Sequence, residues 1–281
     1  MGQSYKRSRH LALGSLLSAL CLCFAFPAFA DEQVSAAVHV HSSLSSGKRP
    51  ISEIAGVAEE YGIDAVVITD LLAERYEYGI RPFEKIIKKT VERDSLLKWG
   101  VPRYFQEIEK VNREGRVLMI DGTAVTPFYY WTGNLWPGPL VLNGRAKDFL
   151  VIGLGDVKKY ENLPVLSNGK SRFTAYDGNQ FAEPYQDVIK YVNDEGGLVF
   201  WSHPHAHESE QYKGPFGTQI QLFTGEYGED MFETFDYTGF GVYSAELAQI
   251  DTPEFPGLSS ANNRWDRLLM EYCRGRRAKP A

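Results

Sequence analysis

Five of the six histidines fall into two tight groups, His39/His41 and His203/His205/His207. Imidazole nitrogens are donors for divalent transition metals, so histidines spaced by two are read first as ligands. On a strand, side chains at i and i+2 point the same way, which would project His39 and His41 together. A surface pair at a strand end is the plain alternative, but Ala36-Ala37-Val38 reads as a buried strand leading directly into them. His203 likewise follows an apolar run, Leu198 to Trp201, and Pro204 fixes the backbone just beyond it. His205 and His207 continue the spacing into acidic loop sequence, where solvated loop histidines are the commoner case.

These groups need elements to carry them. Pro50 to Tyr61 has helical apolar spacing (Ile51, Ile54, Val57, Ala58, Tyr61), with Ser52 as a plausible N-cap and Gly62 as the stop. Ala65 to Thr69 then reads as a buried strand ending at Asp70. A helix opened by Pro102 and closed by Gly115 precedes a strand from Val117 to Ile120 that ends in Asp121-Gly122. Further on come a strand at Phe149 to Leu154, a helix at Pro184 to Glu195 and the strand Leu198 to Trp201. Alternation of this kind predicts an α/β fold of parallel strands with helical crossovers, and chemistry at strand C-termini suits a barrel rim. The segments Tyr129–Gly144 and His207–Asp236 break the rhythm. They read as long aromatic surface loops, forming either a lid and substrate wall or a cover for the core.

Residues 1–30 read as a secretory signal peptide: Lys6, Arg7 and Arg9, an apolar run from Leu11 to Phe26, then Ala28-Phe29-Ala30 before Asp31. The expected mature domain is 31–281, secreted or periplasmic, with no stable membrane span after cleavage. Cys21 and Cys23 lack the small residues that a lipid-attachment site needs before them. Residues 1–30 hold three of the 30 basic residues and none of the 36 acidic ones, so their removal takes the net charge from −6 to −9. That argues against nucleic acid as a partner. Cys273 is then the single cysteine, which excludes an intramolecular disulfide.

Taken in order, HVHSSLSSG (39–47), AVVITD (65–70), IDGTAVTP (120–127) and GGLVFWSHP (196–204) resemble the motifs of the PHP (polymerase and histidinol phosphatase) family. The resemblance covers roughly Ser35 to Tyr272 and is nearest to exported members with an aromatic insertion, here Pro127 to Trp131. It implies a distorted seven-stranded (β/α) barrel carrying up to three divalent metals at the C-terminal rim, where they activate water for hydrolysis of a small phosphorylated substrate. It assigns metal ligation to His39, His41 and His203, with His205 assisting, and a supporting role at the reaction site to Asp70. The ion expected is Zn or Mn.

The chain also departs from the family pattern. Leu71 stands where the resemblance expects a histidine, and Ala124 where it expects a bridging glutamate. Asp121 lies at an odd offset from Ala124 and should face the other side of its strand. A final Asp-x-His does not occur before Ala281, which implies that the last strand is missing, leaves neighbouring edges unpaired and predicts self-association. The expectation is therefore a PHP-like phosphoesterase-type domain with as few as one ion and reduced or no hydrolysis. The alternative is a non-catalytic metal-binding or structural domain.

Overall fold

The computed structural model describes residues 33–80, 83–84, 86–134, 138–203, 208–213, 218–225, 227, 229–241 and 264–278. The expected signal peptide, His205 and His207 lie outside them. The chain divides into residues 1–34 and 35–281, and the second unit is the one described here.

Its main sheet has six strands in the order β1 (Ala36–Val40), β2 (Ala65–Ile68), β5 (Leu118–Val125), β8 (Phe149–Ile152), β9 (Leu198–Trp201) and β12 (Gly239–Phe240). The expected all-parallel arrangement is corrected at its centre, where β8 runs antiparallel to both neighbours. β5 makes this possible by being longer than anticipated. Its first half pairs in parallel with β2, and its second half, Gly122 to Val125, pairs antiparallel with β8. Asp121-Gly122 is therefore mid-strand rather than a strand end.

Helices α1 (Ile51–Glu60), α2 (Leu96–Trp99), α3 (Val101–Glu114), α4 (Val157–Glu161) and α5 (Glu183–Asp194) join or follow these strands. Pro50, not Ser52, caps α1: its extended backbone (φ −66°, ψ 158°) leads into the helix without a side-chain cap. α3 ends where Gly115 turns left-handed at φ 72°, a conformation glycine adopts without a Cβ penalty. Ile51, Ile68, Tyr104, Phe149, Ile189 and Trp201 are among the fully buried residues of the core that these elements share. None of the helices among the described residues is long and apolar enough to cross a membrane.

The two expected loops are instead largely sheet. β6 (Tyr130–Gly133), β7 (Leu140–Asn143), β10 (Glu208–Lys213) and β11 (Gln219–Thr224) form a second sheet ordered β10-β11-β7-β6. A short helix, α6 (Asp230–Glu233), follows, and α7 (Arg264–Cys273) closes the described chain. The apolar residues read as loop cover alternate along these strands: Leu140 and Leu142 are buried with Val141 between them half-buried. A hairpin, β3 (Arg75–Gly79) and β4 (Lys88–Glu92), packs against this sheet through Tyr76 and Tyr129, whose rings meet edge to face at 5.0 Å.

Candidate metal centre

β1 and β9 are four strand spacings apart in the sheet order. In a flat sheet that is about 19 Å, yet the rings of His39 and His203 lie 4.8 Å apart. The sheet must curl so that its two flanks converge on one rim. Strand direction then decides which residues reach that rim. β1 brings its C-terminal end, β8 runs the other way and brings Asp148, the residue just before it, and β9, antiparallel to β8, brings Ser202 and His203 just after it.

The convergence gives three donors, His39, Asp148 and His203, whose ligand atoms all lie within 4.8 Å of one another. Ligands about 2.1 Å from a tetrahedral ion sit roughly 3.4 Å apart, so a small inward rotation of the three side chains would complete the geometry. Electrostatics fit as well. Burial, then the neighbouring His203 and His41, hold the His39 imidazole down at about 4, which keeps it in the neutral, ligating form at ordinary pH. Burial pushes the Asp148 carboxyl up, against the pull of His203, as expected of a carboxylate placed where a cation is wanted.

His39 reaches this position by a different route from regular strand alternation. The pairing of β1 with β2 shifts between Ala37 and Val40, and His39 has φ 67°, the left-handed region rarely occupied by a residue with a Cβ. A bulge there re-aims the side chain. His41 lies just past the strand, its ring 5.2 Å from that of His39 and its Nδ1 2.6 Å from the Ser46 hydroxyl. The structure thus brings His39 and His203 together and leaves His41 beside His39 but outside the donor group, where Asp148 is the third member.

Asp70 is fully buried beneath the loop that follows β1. It accepts hydrogen bonds from the Ser42 amide (2.7 Å), the Ser42 hydroxyl (2.5 Å) and the Ser45 hydroxyl (2.5 Å). It therefore fixes the turn that carries His41 rather than facing the cleft. Gly47 closes the same turn, since a Cβ there would lie 2.0 Å from the His41 carbonyl oxygen. Asp121 faces away, accepting from the Tyr160 hydroxyl (2.8 Å) and the Gly155 amide (3.0 Å). Leu71 and Ala124 form a parallel bridge, so the two positions lacking donors are neighbours at the rim.

Asp148 was not found from sequence. The turn bearing it is held on both sides. Arg145 Nε donates to Glu208 at 3.0 Å, and the same guanidinium lies 3.8 Å from Glu74. Lys147 pairs with Asp230 at 2.6 Å while its ammonium sits 4.1 Å above the Tyr185 ring. Burial pulls the Lys147 ammonium down, and Asp230 opposes that. Asp148, His203 and His41 face a cleft of about 660 Å³ lined also by Leu71, Glu74, Arg93, Lys98 and Arg145. Glu74 is a buried carboxyl with its pKa raised by that burial, partly offset by the Tyr76 hydroxyl 2.9 Å away. The cleft wall thus mixes cations with carboxylates, and Lys98 is paired with Asp94 of the same wall at 2.8 Å.

No protein-family model matches the sequence, and no curated protein matches it. Several solved structures are similar. One is a two-domain protein from Bacteroides vulgatus containing a predicted PHP-like metal-dependent phosphoesterase, 19% identical, with a TM-score of 0.31 over 61% of this chain and 35% of that one. This chain therefore spans about a third of that protein. Another is a protein from Bifidobacterium adolescentis proposed as a metal-dependent phosphoesterase, 13% identical, with a TM-score of 0.36 over 86% of this chain and 84% of that one. The mixed α/β architecture and the His39–Asp148–His203 group stand independently of both.

Proposed function

We propose that this chain is an exported PHP-like, phosphoesterase-type protein that holds one divalent ion, Zn or Mn, and hydrolyses small phosphorylated substrates slowly or not at all. The observation that carries the reading is the convergence of His39, Asp148 and His203 on one another, two of them, Asp148 and His203, lining a cleft shared with Arg93, Lys98 and Arg145. The ion, when bound, supplies Lewis-acid polarisation of the phosphoryl group and an acidified water. The protein's own groups would do the rest: His39, Asp148 and His203 hold the ion, and Arg93 on the cleft wall orients the anion, while Arg145 and Lys98 stay paired with Glu208 and Asp94.

The low rate follows from Leu71 and Ala124, which offer no donor beside that group. Phosphoester hydrolysis needs a very large barrier reduction, and losing even outer-shell support of a metal site costs about 10–100-fold. The same two residues favour the alternative of a purely metal-binding domain. Metal content of the purified protein, followed by hydrolysis of an aryl phosphate with and without added Zn²⁺ or Mn²⁺, decides between them. Substoichiometric metal that is unchanged in a His39→Ala, His203→Ala variant would sink the metal reading altogether. Export is tested by N-terminal sequencing of secreted protein, where Asp31 should come first.

A further inference from the structure

We infer that the substrate of this cleft is an amphiphile, an anionic phosphate-type head joined to an extended apolar tail that lies in a second groove opening from the cleft. The inference rests on the anion-handling role proposed above and adds the substrate's other half. A groove of about 430 Å³ runs between the β3–β4 hairpin and the second sheet. Tyr78, Ile87 and Val91 form its hairpin wall, and Trp131, Leu140 and Ile220 its sheet wall. Arg93 and Arg145 line both the groove and the metal cleft, so the two spaces meet at a pair of guanidinium groups.

Three features mark the groove as built to receive something. Its two walls are joined at the base by directed contacts: the Trp131 indole donates to the Glu77 carbonyl (2.8 Å), the Glu77 amide donates to the Tyr129 hydroxyl (2.9 Å), and Trp131 meets Tyr78 edge to face at 5.2 Å. Apolar surface is left open along it, with Ile87 52% and Val91 50% exposed, which is costly unless it is covered in use. At the junction, Arg145 is committed to Glu208 and Glu74, whereas Arg93 acts on Glu74 only through its charge, at longer range. A guanidinium that lines both spaces, set between metal donors and an apolar trough, matches a head-and-tail ligand. A compact polar phosphate ester would leave the trough unused.

The test is calorimetric titration of the purified protein with inorganic phosphate and with butyl, hexyl and octyl phosphate, each below its micelle concentration. Affinity should rise roughly three- to fourfold per methylene, making octyl phosphate about 100-fold tighter than butyl phosphate, with an increasingly negative heat-capacity change. Ile87→Asp combined with Val91→Asp, both at half-exposed positions, should flatten that series. Arg93→Gln should weaken every alkyl phosphate by a similar factor and preserve the slope. An affinity independent of chain length, or a slope retained in the double aspartate variant, overturns the inference. Protein that holds metal and binds phosphate but shows a flat series retains the proposed function and loses the groove. A steep series in protein that takes up no metal retains the groove and loses the metal reading.

Discussion

If Leu71 and Ala124 occupy the positions where two further donors belong, then Leu71→His with Ala124→Glu should build metal affinity at a cost in metal-free stability. Ala124 is 1% exposed, and its amide is tied to the Thr69 and Asp70 carbonyls. A glutamate there buries a carboxylate without a counter-ion, which costs about 3–5 kcal/mol. In a domain of this size each kcal/mol moves the melting midpoint by about 2–4 °C, so chelated double variant should melt roughly 10 °C or more below the native protein. Metal at a hundredfold excess over its Kd returns about 2.7 kcal/mol. Because the variant adds ligands beside His39, Asp148 and His203, its Kd should be lower and its midpoint rise with Zn²⁺ larger than that of the unmodified protein. Thermal melts with and without chelator, with metal analysis on the same samples, read both effects. An equal or smaller metal-induced rise in a folded variant refutes the placement of these residues at the metal group. Hydrolysis should remain low in the variant, and strong hydrolysis by the unmodified chain would overturn the degraded-site reading itself.

Asp148→Asn keeps the shape of the third donor but removes its charge, and equilibrium dialysis should show a loss of metal affinity of about 100-fold, at the upper end for perturbed sites; unchanged affinity excludes Asp148 as a ligand. Arg145→Ala strands the buried carboxyls of Glu74 and Glu208 and should cost about 3 kcal/mol in urea unfolding, with a loss under 1 kcal/mol showing that water compensates them. Metal-free stability should fall as the pH drops from 6.5 toward 4: His39 titrates near 4 when folded and near 6.5 when unfolded, so the unfolded chain binds the extra proton in that window, for at most about 3 kcal/mol. Asp148 is shifted the opposite way and gains stability over the same acid range, so Asp148→Asn should steepen the loss in pH-dependent melts.

The sequence carried the pieces with strong local signatures. Apolar runs bounded by helical segments located β1, β2, β8 and β9, and the two histidine clusters pointed to both imidazoles of the donor group, because those signals depend on a few adjacent residues. The second sheet was invisible for a physical reason. Tyr-Trp-Thr-Gly and Leu-Val-Leu-Asn are too short to show a convincing period, and although they pair with each other locally, β7 joins the sheet to β11, with 79 residues between paired positions. Pairing that distant leaves no mark on either segment alone. The β1 bulge was hidden similarly: nothing in Val38-His39-Val40 announces a left-handed residue, so the His39/His41 pair was expected for the wrong geometric reason.

Asp148 shows most clearly how topology decides what can be read. A parallel α/β pattern directs attention to strand C-termini, and Asp148 precedes its strand. The Arg145-Ala146-Lys147-Asp148 run before Phe149-Leu150-Val151-Ile152 was in plain view, but its meaning depends on which way β8 runs. Reversing one strand moves its N-terminus to the rim that its neighbours reach with their C-termini. The carboxylate then arrives between two histidines that lie four strand spacings apart in the sheet order. The signal that could have found it is an acid directly before a buried strand, flanked by cations committed elsewhere. Arg145 and Lys147 are those cations, and their bonds to Glu208 and Asp230 leave Asp148 as the turn's one charge still facing the donors.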